Sequence, residues 1–257
     1  MARSLGFPSV PHEHLPHAPL QTMLGQVQFP LTSRVADLAR LAPFQEAIAE
    51  AFPQMVQEQL LTINFGPEGV RSPGATPTMR FISADGAWNV ALTPSMLTLE
   101  ATALRYSGYA DFRERFQQVW EAAREHLSLT RRTQIGLRYI NHIQKELSAS
   151  EWGEWIRSEI LGVQALPEAG DRVQTSMSDV RFALNDGLLA FKHGIVQAGP
   201  DGNWGYLLDF DYFSQQPVED ASTDEVLARF DAFHDEIYAF FRWTVTERSL
   251  KEFSDAQ

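Results

Sequence analysis

The chain of 257 residues contains no cysteine. This excludes thiol nucleophiles, cysteine-ligated zinc and disulfide frameworks. It also lacks any apolar run near the ~20 residues that a membrane-crossing helix requires. The first residues lack the pattern of a secretory signal, because Arg3 is followed at once by Leu5-Gly6-Phe7-Pro8 with no continuous apolar stretch. The usual catalytic signatures are missing as well. Gly66, Gly69 and Gly74 sit among Pro67 and Pro73 without a Gly-Lys-Ser/Thr ending, so they are no phosphate-cradling loop. There is no Gly-x-Ser-x-Gly elbow and no His-Glu-x-x-His pair. These absences count against the common enzyme classes but not against an uncommon one, and a non-catalytic chain without cofactors is the first expectation.

What is present is an ordinary globular composition, 44% hydrophobic and 21% charged, long enough for one large domain or two small ones. The net charge is −12, and it is unevenly spread. Residues 201–257 hold 13 carboxylates against 4 cations, so −9 of the −12 lies there. A nucleic-acid binder places cations against phosphates and a membrane-surface protein is basic for the same reason, so neither partner is expected. An acidic final third is either a solvated face or a docking surface for a basic protein partner. Asp220, Asp224, Glu225, Asp231 and Asp235 are the candidate partner-binding carboxylates. The expected location is cytoplasmic, and a homo-oligomer stays open.

Hydrophobic periodicity divides the chain twice in the same order. Residues 1–19, with prolines at 8, 11, 16 and 19, read as a mobile extended arm. A strand over 21–30 precedes two short helices, the second opened by Pro43, then a strand over 57–65 and a loop over 66–77. Three meander strands over 79–101 follow, and then a helix over 109–127 with Phe112, Phe116, Val119, Trp120, Ala123 and Leu127 at spacings of three and four. The second half repeats this with a strand over 132–143, a helix capped by Ser150, strands over 173–184, 188–197 and 204–213, a long helix over 223–245 and a short one over 249–253. The Asn185-Asp186-Gly187 run marks a hairpin turn. The expected fold class is therefore α+β: two strand-helix-meander-helix units, over 20–128 and 129–257, forming one wide antiparallel sheet on two long helices. This order resembles the duplicated helix-grip shape of the TATA-box-binding protein, a likeness of topology that carries no function.

Four groups of residues are the candidates for chemistry. Alternation on the strand around Gly136 puts Arg138, Ile140 and His142 on one face, suited to a polar groove or to an ion pair across the sheet. Asp209 and Asp211 share a face of another strand, where paired carboxylates raise a pKa or take a cation. His193, on the neighbouring strand, is a candidate to join them. Arg138, His142, His193, Asp209 and Asp211 are thus the ligand-groove candidates. His12-Glu13-His14 and His17 have metal-ligand chemistry, but a proline-rich arm offers ligands little support, and no metal is expected.

Several segments together resemble a sporadically distributed prokaryotic family of proteins about this long that has no established activity. They are Val27-Gln28-Phe29-Pro30, Trp88-Asn89-Val90-Ala91-Leu92, Leu97-Thr98-Leu99-Glu100, Gly136-Leu137-Arg138-Tyr139-Ile140-Asn141 and Leu207-Leu208-Asp209-Phe210-Asp211, with the closing Phe-rich helix into Thr244-Val245-Thr246. The resemblance spans nearly the whole chain and implies one continuous unit, with accessory biology such as toxin neutralisation, immunity or anti-phage defence. It brings no catalytic residues. Two readings follow: a non-catalytic interaction module using its acidic third, or a small-molecule-binding protein or enzyme with a polar groove around Arg138, His193 and Asp209.

Overall fold

The computed structural model describes the chain except residues 1–3, 9, 14, 62–63, 67–68, 72–74, 103–106, 149, 167–171, 185, 199–202 and 255–257, and the side chains of 60, 61, 64–66, 69–71, 75 and 198. His14 and Asn185, singled out above, lie outside the described residues. The fold is α+β. Its strands are β1 (Leu20–Gln28), β2 (Gln54–Leu61), β3 (Asn64–Gly66), β4 (Gly69–Arg71), β5 (Ala75–Ile82), β6 (Trp88–Thr93), β7 (Met96–Thr102), β8 (Gln134–Ile143), β9 (Ser178–Leu184), β10 (Gly187–Ala198) and β11 (Asn203–Ser214). Its helices are α1 (Leu38–Ile48), α2 (Tyr109–Leu127), α3 (Ser158–Leu161), α4 (Thr223–Thr244) and α5 (Glu247–Ser254). Nine strands form one antiparallel sheet in the order β2-β5-β6-β7-β1-β8-β11-β10-β9, and β3 pairs with β4 alone. No helix is long and apolar enough to cross a membrane among the described residues.

The chain divides into two compact units. One comprises Leu24–Ile135 and Gln215–Ala228. Its meander has Phe81, Val90 and Leu99 in register on one face, all fully buried. The α2 stripe of Phe112, Phe116, Val119, Trp120, Ala123 and Leu127 is buried throughout, as its helical spacing demands. Phe112 approaches Trp88 at 6.2 Å between centroids, and Phe44 of α1 meets Phe81 edge-on at 5.4 Å. Pro43 lies inside α1 rather than opening a second helix. Arg132, also buried, forks onto Glu225 and donates to the Gln216 carbonyl oxygen at 2.9 Å.

The other unit comprises Met1–Met23, Gly136–Ser214 and Arg229–Gln257. Its core is aromatic: Phe240 meets Phe191 at 4.8 Å and Phe210 at 5.3 Å, and Phe233 stacks on Tyr212 at 4.1 Å. The helix expected after Ser150 is broken. A 3-10 turn over Glu151–Glu154 is followed by an extended stretch, because Ile156 bridges Val245 and Arg157 N–H donates to the Thr244 carbonyl. Ile156 N–H still donates to the Trp152 carbonyl, but the Arg157 bond to Thr244 replaces the i→i−4 bond that would have continued the helix. The loop expected over 66–77 instead contains β4 and the start of β5.

The N-terminal segment is not a mobile arm but lies along α4. Phe7 stacks on Phe240 at 5.0 Å and meets Trp243 at 4.8 Å. Leu5 N–H donates to Glu236, His12 reaches Asp235 at 3.2 Å, and Arg242 donates to Glu13 at 2.9 Å. Aromatic packing and three polar anchors oppose the entropy of a proline-rich chain whose backbone was already restricted.

Candidate functional site: a polar sheet face

Register decides which candidates meet. In the antiparallel β10–β11 pair Lys192 stands opposite Asp209, and His193 opposite Leu208. Opposed residues share a face and successive residues alternate, so Lys192, Asp209 and Asp211 are on one face and His193 on the other. Arg138 of β8 joins the first face by a fork onto Asp209, Nε–Oδ1 2.8 Å and Nη2–Oδ2 2.7 Å. Alternation along β8 carries His142 to that face too. Four of the five groove candidates are thus gathered, and His193 is separated from them. One step in register puts it in the helix-covered core, where Nδ1 meets the Tyr206 hydroxyl at 3.0 Å and the ring stacks on Phe191 at 4.6 Å. A His193–Asp209 catalytic pair cannot form.

The electrostatics differ sharply between the two faces. Burial alone pushes the His193 imidazole down to about 4, so it is neutral at pH 7. On the polar face the hydrogen bond from Arg138 to buried Asp209 raises the guanidinium's already high pKa. That fork is charge-assisted and bidentate, the strongest form of such contact. Asp211 is different. It is half-buried, and desolvation raises its pKa against the opposing pull of Arg138. Among the described residues Asp211 makes no hydrogen bond or ion pair, Lys192 likewise has none, and the Arg138 fork leaves Nη1 unused. This patch therefore presents an acceptor and two cationic donors toward the half-exposed side of the sheet. The spacing of Asp209 and Asp211 in sequence indicated the carboxylates, but Lys192 was missed; its signal was a lone lysine on a strand otherwise rich in apolar residues.

His142, 3% exposed, ends the same stripe. Burial lowers its pKa while a hydrogen bond with the Val196 backbone opposes this, and its Nε2 has no hydrogen-bond partner. Glycine at 205 makes room for the ring: a Cβ there would sit 2.5 Å from Nε2 and closer still to the Ile143 carbonyl oxygen. Gly205→Ala is expected to cost about 1–3 kcal/mol as overpacking. Urea denaturation checks this, and an unchanged midpoint contradicts it.

The candidate partner-binding carboxylates are spread over both units. Glu225 is committed to Arg132, so it is a fold residue. Asp235 pairs with His12, and Asp220 lies 3.5 Å from Arg124 with most of its side chain exposed. Asp231 faces the buried His234. Asp224 is exposed and has no ion pair among the described residues. The described residues include no group of three His, Asp or Glu side chains arranged to hold a metal. No protein-family model matches this chain, and a comparison with curated proteins finds no match.

Proposed function

We propose that the protein is a non-catalytic binding module that holds a small zwitterionic ligand on the polar sheet face around Arg138, Asp209, Asp211 and Lys192. The observation that supports this reading is the half-buried Asp211, which makes no hydrogen bond or ion pair among the described residues and feels the charges of Arg138 and Lys192. A carboxylate kept partly out of water without a partner is costly, and a ligand ammonium relieves that cost. Arg138 Nη1 and Lys192 Nζ then take the ligand's carboxylate. Nothing in the patch supplies a nucleophile with an adjacent base, since His193 is on the opposite face.

A thermal-shift screen of amino acids and dipeptides tests the reading. A ligand at 100 times its Kd adds about 2.7 kcal/mol to stability. Asp211→Asn removes the acceptor charge at nearly constant shape, and is expected to fold normally and abolish the shift. A flat screen, or a shift that survives Asp211→Asn, overturns it.

Strand order supports the duplicated, helix-grip-like build that the element order suggests. Outward from β1 the neighbours are β7, β6, β5 and β2, and outward from β8 they are β11, β10 and β9. In each direction the first strand of a half pairs with the last strand of its own meander. A role in defence or toxin neutralisation rests on the family resemblance alone.

A further inference from the structure

A second feature, independent of Asp211, lies at the end of β8. A cavity of about 480 Å³ opens there between the N-terminal segment, the residues following β8, and α5. Its wall carries Lys145, Arg248 and Lys251 against one carboxylate, Glu252. Counting Glu154, which pairs with Arg248, the surplus is one positive charge in a chain whose net charge is −12. Residues 201–257 have only four cations, and two of them are here, three residues apart on one face of α5.

Two of the cations are held in place. Lys145 Nζ sits 4.2 Å from the Trp155 ring centroid and the Arg248 guanidinium 5.2 Å from the same ring. Trp155 is buried and fixed by the Ile156–Val245 bridge, so one indole brings two like charges together. Glu252 lies 2.6 Å from Lys145, and Glu154 pairs with Arg248. Lys251 has no ion pair or hydrogen bond among the described residues. His17 and His142 each add a ring to the wall. Ile143 and Phe253 supply an apolar side.

The geometry points to a binding site for a small organic phosphate, its phosphate among Lys145, Arg248 and Lys251 and its organic part against Ile143 and Phe253. Three clustered cations match a dianion better than a single carboxylate, which one arginine would satisfy. The volume is that of a small-molecule pocket. The phosphate competes with Glu252 for Lys145 and brings Lys251 its first partner.

Pyrophosphate is the probe, titrated by calorimetry and thermal shift against potassium chloride at matched ionic strength and against citrate. The expected result is saturable pyrophosphate binding that chloride does not reproduce and that citrate matches only at higher concentration. Lys251→Gln, an exposed substitution, should leave the melting temperature of the free protein unchanged and weaken binding at least tenfold. Asp211→Asn should leave pyrophosphate binding intact, which separates this site from the sheet-face reading. Equal stabilisation by chloride, equal affinity for citrate, or full binding by Lys251→Gln would each overturn the assignment.

Discussion

Lowering the pH from 7.5 to 4.5 is expected to remove about 3 kcal/mol of folding stability through His234 alone, at 1.36 kcal/mol per pKa unit. His234 is buried on α4, its Nδ1 2.8 Å from the Tyr139 hydroxyl. Burial pushes its pKa down to about 3; nearby His12 pushes in the same direction and Asp231 opposes. An unfolded histidine takes up its proton near pH 6.5. Between those values the unfolded chain binds more protons, so stability is whole above about 6.5 and falls as the pH falls towards 3. His193, depressed to about 4 by burial, adds a loss of the same sign over a narrower window. Urea denaturation at the two pH values measures the drop. His234→Gln keeps a hydrogen-bonding group for Tyr139 and removes the titration, so the difference between the two pH values should shrink. An undiminished difference in that variant shows that the acid sensitivity lies elsewhere.

Arg132→Ala should cost about 3 kcal/mol, because it removes a buried guanidinium from its fork onto the partly exposed Glu225 and leaves that carboxylate uncompensated. The guanidinium is 1% exposed and uses Nε and Nη2 on Glu225, with Nη1 on the Gln216 carbonyl. Its backbone also bridges Val218 in both directions, which ties the start of the β8 segment to the approach to α4. Replacing both partners, as Arg132→Met with Glu225→Leu, should recover much of the loss, since no stranded charge remains. Equilibrium denaturation of the two single variants and the double variant gives the coupling. If Arg132→Ala costs less than 1 kcal/mol, the pair does not hold this unit together. The same contact bears on any search for a docking surface: a reversed charge at Glu225 breaks the Arg132 fork and destabilises this unit, which passes for a lost partner, whereas exposed Asp224 tests docking without that confusion.

Local pattern carried much of the architecture. The α2 boundaries are legible because six apolar residues recur at helical spacing between Gly108 and Ser128, and burial of that stripe is the main energy of the helix. The meander strands are legible because alternation and turn residues are both local. The segment after Ser150 failed for the opposite reason. Trp152, Trp155 and Ile156 carry a helical spacing, yet the backbone at Ile156 and Arg157 finds partners around Thr244–Val245, almost ninety residues away. The N-terminal segment failed similarly, since nothing in a proline-rich stretch announces that Phe7 will stack on Phe240.

The candidate site shows the same division. Residue type and two-residue spacing were enough to put Arg138 with His142 and Asp209 with Asp211, and to suggest an ion pair across the sheet. Which of them share a face with a neighbouring strand depends on register, and a shift of one residue exchanges the faces. That shift separates His193 from Asp209 and brings in Lys192. Composition and periodicity determined the α+β class, the absence of thiol chemistry and the apolar stripes, because each rests on contacts within a few residues. Tertiary structure alone decided that Glu225 belongs to Arg132, that Asp211 stands without a partner, and that three cations of an acidic chain surround one cavity. Those outcomes depend on pairs dozens to a hundred residues apart, whose meeting no local spacing encodes.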